Sequence, residues 1–358
     1  MLSIVVLIVT VLLIALGVLL FLSPGVPKPF LDNHGRAISG SISEKIFITI
    51  GGIRQGMFIK SKNVKNPVLL YLHGGIPDYF LSRTHPTGLD EYFTVVWWDQ
   101  RGSGLSYNSG IPLESKTLDQ LLSDTKELSN YLRTRFAQDK IYIMGRSGGT
   151  FIGIYAAAKS PELYHAYIGI GQMSDQLKSE RIAYEYILKE YQDRNDRKMV
   201  EKLMASPVKD SIPYEYLKLR DQAMHRLGIG TTHDMKSVVT GLFIPSLLCS
   251  EYTLQEKINL WRGKSQSGVH PLWNNMISTD LAQEVNEVNI PVYFFHGKYD
   301  YTVSYSLAKQ YLETLHAPVK GFYTFENAAH SPHFEDPERV KDILINDVFG
   351  GKVTLADK

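Results

Sequence analysis

A single cysteine, Cys249, stands among 358 residues, which excludes an internal disulfide framework and leaves that thiol as a small buried apolar side chain. Charge excess is missing too. The 38 basic and 37 acidic side chains leave a net charge of +1, with no electrostatic footprint for nucleic acid or for a polyanionic substrate. No Cys/His cluster has zinc spacing, since His330 and His333 straddle Pro332 without further ligands nearby. Neither a metal nor an organic cofactor is expected. Charge is also lacking from Leu2 to Leu22, a run long enough at ~1.5 Å per residue to cross a ~30 Å hydrocarbon core. No basic segment precedes it and no small-x-small cleavage site comes after it, so an uncleaved single-pass anchor in a lipid bilayer is favoured over a cleaved signal peptide. Lys28 and Arg36 on its C-terminal flank, diluted by Asp32, bias the rest of the chain towards the cytoplasm.

What is present centres on Gly145-Arg146-Ser147-Gly148-Gly149. An apolar run, Ile141 to Met144, leads into it and a small-residue run through Ala158 leads out, which reads as strand, tight turn and helix. A serine at such a turn is a nucleophile elbow, its hydroxyl lifted above the sheet edge. The hydroxyl needs a base, and the base needs an orienting acid. The strand from Val292 to Phe295 runs into a loop with Asp300, and the run from Phe322 to Phe325 into a loop with His330. Loops beyond the carboxyl ends of parallel strands are where such sheets collect reactive groups. Asp300 is thus expected to hold the imidazole, and His330 to take the Ser147 proton and return it to the leaving group. His333 is the rival base, set aside as a helix-start residue beyond Pro332. The strand from Val68 to Leu72 ends in His73-Gly74-Gly75, so the Gly75 and Gly148 N–H groups are the expected oxyanion hole. His73 reads as a residue pinning this loop, and Arg101 as half of a buried ion pair.

These segments, with Trp98-Asp99-Gln100-Arg101-Gly102-Ser103-Gly104-Leu105-Ser106, resemble the α/β-hydrolase superfamily, and within it the proline iminopeptidase branch, over about Glu44 to Phe349. That family usually has Pro-Gly after His-Gly-Gly, where Ile76-Pro77-Asp78 stands here, and Trp after the serine, where Gly148 stands. The resemblance implies an α/β fold with a doubly wound, mostly parallel sheet and a serine hydrolase working through Ser147, Asp300 and His330. It further implies an aminopeptidase of the proline iminopeptidase type, acting on short peptides. A membrane-tethered carboxylesterase or lipase acting on small or lipid-derived esters is the alternative, because the same triad serves both. A non-catalytic binding protein would need none of these groups.

The chain divides into an anchor (residues 1–23), an extended tether rich in proline and glycine (24–40), a core in two parts (41–172 and 290–358) and an inserted helical cap (173–289). An opening hairpin is expected around Gly51-Gly52, and a helix capped by Thr117. Within the cap, the apolar stretch from Val238 to Leu248 reads as pocket lining rather than a lipid contact, since Pro245 interrupts it. Glu251 is the candidate carboxylate for a substrate ammonium; a charge at the start of a capped helix near Thr253 is the equal alternative. Tyr184, Tyr186, Tyr191, Tyr214, Tyr216 and Trp261 are expected mainly to pack.

Overall fold

Beyond residue 40, turns rich in glycine and polar residues cut the chain into short apolar runs with many β-branched and aromatic side chains, and these become strands. The computed structural model describes residues 2–268 and 270–358. Eight strands form one sheet in the order β1-β2-β4-β3-β5-β6-β7-β8. They are β1 (Ile42–Ile50), β2 (Ile53–Ser61), β3 (Val68–Leu72), β4 (Thr94–Asp99), β5 (Ile141–Arg146), β6 (Tyr164–Ile170), β7 (Val292–Gly297) and β8 (Lys320–Phe325). The hairpin β1-β2 turns at Gly51-Gly52, each strand starting earlier than its apolar alternation indicates. β2 meets β4 antiparallel, and every pairing after it is parallel.

Register decides where chemistry can gather. Leu72 of β3 pairs with Gly145 of β5, Gly145 with Gly169 of β6, Gly169 with Phe294 of β7 and Phe294 with Phe322 of β8. The carboxyl ends of these strands are therefore level, and the loops beyond them open on one edge. The strands are buried on both faces and so read as continuous apolar runs. Leu70 and Leu72 enter one core, closed by helices Leu118–Phe136, Gly148–Lys159 and Tyr305–Thr314, while Leu69 and Tyr71 enter the opposite one. Thr117 caps the first helix by accepting the Gln120 N–H at 3.2 Å.

Between β6 and β7 the chain is helical. Helices Gln176–Asp193, Arg197–Met204 and Tyr214–Leu227 share a third core holding Tyr184, Tyr191 and Tyr216. Tyr186 packs against that core from its edge and stacks on Tyr301 with ring centroids 3.9 Å apart. The apolar stretch forms a π turn, Val239–Phe243, continued by a short helix, Ile244–Leu248, whose first turn tolerates Pro245.

At the N-terminus, helix Leu2–Phe21 is long and apolar enough to span a membrane, and its Ile4–Phe21 window has no burial against the rest of the chain. The tether behind it is extended but not loose. Gly25 N–H donates to the Ser250 carbonyl at 3.0 Å, Pro24 bridges to Thr253, and the Lys257 ammonium donates to the Leu22 carbonyl at 2.9 Å and Ser23 Oγ at 2.8 Å.

Candidate active site

β5 delivers Ser147 into the turn with φ +55° and ψ −128°, a conformation that a non-glycine residue adopts only under strain. Two bonds hold it: Ser147 N–H to the Ile170 carbonyl at 2.9 Å, and Thr150 N–H to the Ser147 carbonyl at 2.8 Å. The helix can start here because residue 149 has no side chain; a Cβ on Gly149 would lie 2.1 Å from the Leu72 carbonyl oxygen. Ser147, Gly148, Gly75 and His330 line one cleft of about 490 Å3, within the usual range for a small-molecule site.

On the neighbouring loops, His330 Nδ1 lies 2.8 Å from Asp300 Oδ2. Asp300 Oδ1 accepts Val303 N–H at 2.9 Å, and His296 Nε2 stands 3.2 Å from Oδ2 and 3.1 Å from the Val303 carbonyl. Burial alone would raise Asp300, but the imidazoles of His330 and His296 overrule it and hold the carboxyl well below the usual range. Burial lowers His330, and Asp300 offsets only part of this, so the ring is neutral at pH 7. With Nδ1–H given to the carboxylate, Nε2 keeps its lone pair; it is buried and has no partner among the described residues. The imidazole fits only because Gly171, at φ +57°, comes directly after β6; a Cβ there would lie 2.9 Å from both Nδ1 and Cε1.

The structure thus brings Ser147, Asp300 and His330 to one sheet edge. Gly74 adjoins the serine, since a Cβ on it would lie 3.1 Å from Ser147 Oγ, and Gly75 is next to it in the cleft lining. His73 pins its loop: Nε2 accepts Gln100 N–H at 3.1 Å and Nδ1 donates to the Gly74 carbonyl at 2.7 Å. Burial pushes this ring down to about 4. His333 sits in the core, with Nε2 3.1 Å from the Tyr71 hydroxyl and its ring against Phe334. Arg101 is a buried ion partner, bonded to Asp124 at 2.8 and 3.0 Å.

Glu251 is a correction. It does not reach the cleft but is fully buried beneath the tether, its Oε1 2.7 Å from Lys60 Nζ and also accepting Lys28 N–H, its Oε2 taking the Tyr79 hydroxyl. Burial opposes its charge, yet Lys60 holds the carboxyl below its usual range; being fully buried and outside the cleft lining, it gives an incoming ammonium no access. The capped helix does begin at Thr253, whose capping-box partner is Glu256. Tyr214 and Trp261 are likewise cleft-lining residues rather than only packing ones.

Two cleft features escape the sequence patterns. Arg146, the variable residue of the elbow, donates to Ser331 Oγ at 3.0 and 2.6 Å and to Asp78 Oδ2 at 3.1 Å, so it clasps the loops carrying His330 and Gly75. Asp78, at the departure from the family motif, was the available signal. In the cap, Glu180 and Asp221 also line the cleft. Glu180 is buried against Arg220 at 2.7 Å, whereas the Asp221 side chain stays 42% exposed, 3.4 Å from Arg220 and 3.8 Å from Lys264.

A family model described as "Serine aminopeptidase, S33" matches residues 89–197. The chain is 33% identical over 303 residues to the probable aminopeptidase YbaC of Bacillus subtilis (strain 168), covering 83% of this chain and 93% of that protein. Its fold is similar to that of the proline iminopeptidase of Mycobacterium smegmatis, with TM-score 0.59, 14% identity, and 86% of this chain and 98% of that one covered. It is also similar to a proline iminopeptidase-related protein of Thermus thermophilus, with TM-score 0.60, 18% identity, and 87% and 99% covered. At such identities the two structures bear on the fold alone. The relationship to YbaC carries the family, and the chain belongs to the serine aminopeptidase family of α/β-hydrolases.

Proposed function

We propose that this hydrolase is an aminopeptidase working through an acyl-enzyme on Ser147. Ser147 Oγ forms the bond to the scissile carbonyl carbon while His330 Nε2 takes its proton, and Asp300 supports the imidazolium that results. The Gly75 and Gly148 N–H groups meet the oxyanion. When the carbon–nitrogen bond breaks, His330 returns the proton to the leaving amine; a water then releases the acyl group by the same steps reversed. One observation carries this reading: a neutral, carboxylate-held imidazole keeps a buried, unpartnered Nε2 in the cleft lined by a serine on a strained elbow. For the substrate ammonium, Asp221 is the carboxylate with lone pairs to spare, backed by Glu180.

A second reading, an esterase, is favoured by charge. Lys116, Lys264 and Arg220 outnumber Glu180 and Asp221 among lining groups, once Arg101, Arg146 and Lys218 are set against Asp124, Asp78 and Glu215. Val238, Leu242 and Met276 would suit an acyl chain. The test is an assay of the full chain in detergent on prolyl, alanyl and leucyl arylamides beside short and long acyl esters, with Ser147→Ala as control. Loss of a charge-assisted bond costs about 1.5–3 kcal/mol, so Asp221→Asn should raise KM for arylamides about tenfold or more and spare esters. Ester turnover with no arylamide turnover would remove the peptidase reading.

A further inference from the structure

The exposed side of the π turn and short helix at residues 239–248 is apolar in a way the fold does not require. Val239 and Leu248 are each 57% exposed, Phe243 40% and Ile244 42%. The other side of this element is well used: Leu242 and, just before the element, Val238 line the cleft, and Ser246 Oγ accepts the Trp261 indole N–H at 2.9 Å; Phe243, at the margin of the patch, meets the Trp261 ring edge-on at 5.2 Å. The patch is also not placed at random. Lys257 Nζ donates at 2.6 Å to the Leu247 carbonyl and, with the same ammonium, to the Leu22 carbonyl and Ser23 Oγ, where helix Leu2–Phe21 ends. One buried cation thus locks the end of the apolar helix to the end of the apolar patch. The tether adds Gly25 on the Ser250 carbonyl and the Pro24–Thr253 bridge.

We infer that residues 239–248 form a second membrane contact, their exposed apolar face seated at the boundary between headgroups and acyl chains of the bilayer that holds the N-terminal helix. The inference rests on that helix being a retained anchor. Two apolar surfaces joined by a three-way ammonium clasp cannot be far apart along the bilayer normal, and lipid is the medium that matches both. The short helix is too brief to span, so it lies in the interface instead. This differs from the pocket-lining role expected of the stretch, which its inner side alone fulfils.

The test uses the full chain carrying Cys249→Ala, with one new cysteine at a time labelled by an environment-sensitive fluorophore in phosphatidylcholine vesicles doped with a nitroxide lipid. The positions are Val239→Cys and Leu248→Cys on the patch, Leu12→Cys in the apolar helix, and Lys126→Cys on the solvent side of helix Leu118–Phe136. Blue-shifted emission and nitroxide quenching at the two patch positions and at Leu12→Cys, with neither at Lys126→Cys, is the expected result. Quenching at Leu12→Cys with patch probes that behave like Lys126→Cys overturns the second contact and leaves the anchor standing. No quenching at Leu12→Cys removes the anchor and this inference with it.

Discussion

Burial sets the protonation state of His330, and the direction of that shift has a measurable consequence. The proposed base works only when neutral, so turnover is present above its pKa and is lost as pH falls through it. Because burial lowers this pKa and Asp300 restores only part, the acid limb of kcat/KM should have its midpoint below pH 6.5. Asp300→Asn removes the group that supports the imidazolium and fixes the tautomer, so kcat should fall about 10^4-fold, by analogy with the corresponding change in serine proteases. A pH profile of kcat/KM for the parent chain and this variant checks both; a parent midpoint above 6.5 would mean that His330 is not the titrating base. At this scale the sequence was informative where chemistry coincided with local punctuation. Ser147, Asp300 and His330 each come after an apolar run that ends in a turn, so their places could be read without tertiary knowledge. Glu251 could not. What decides its role is Lys60, 191 residues away on the opening hairpin, and no local pattern announces that pairing.

At the scale of elements, Arg146 at the end of β5 joins two loops that the sheet merely brings side by side. Replacing it by methionine keeps much of the volume but strands Asp78, whose carboxyl would be left buried with only the Tyr71 hydroxyl at 2.9 Å. Removing one partner of a buried ion pair typically costs about 3–5 kcal/mol. Burial already raises the Asp78 pKa against the pull of Arg146, so the stranded carboxyl takes up a proton readily. The loss of stability in Arg146→Met should therefore shrink as pH falls. Thermal unfolding in detergent at pH 5 and pH 8 reads this directly, and equal losses at both would mean that Asp78 does not carry the penalty. The inner parallel strands were legible for a simple reason: flanked by neighbours and covered on both faces, they have no polar side to show, whereas the half-buried edge strand β1 showed only part of its length by alternation. The cap was legible as helical, but which of its side chains face the cleft depends on how its helices cross, and Tyr214, Trp261, Glu180 and Asp221 emerged only from the assembled fold.

At the scale of the whole molecule, the buried cores of the sheet lie on its two faces and a separate core lies within the cap. The change of apolar periodicity from strand to helix marks the inserted segment in the sequence, but only its first part, from Ala183 to Ile229, forms the separate core, whereas Leu242, Leu260, Leu272 and Met276 are buried in the cores of the sheet. The sequence did not convey that the tether is stitched to the cap by residues 24 and 25, since proline and glycine there read as freedom. The clasp of Lys257 on Leu22, Ser23 and Leu247 has a mechanical consequence. Any swing of the cap that widens the cleft must drag a rod of 20 residues through its surroundings. If lipid surrounds that rod, opening is slowed by bilayer viscosity, and turnover of a substrate limited by entry or release should drop abruptly when saturated phosphatidylcholine vesicles are cooled through their melting temperature. Lys257→Met, which removes the clasp and leaves only the Gly25 and Pro24 contacts, should cross the same temperature with a smaller break.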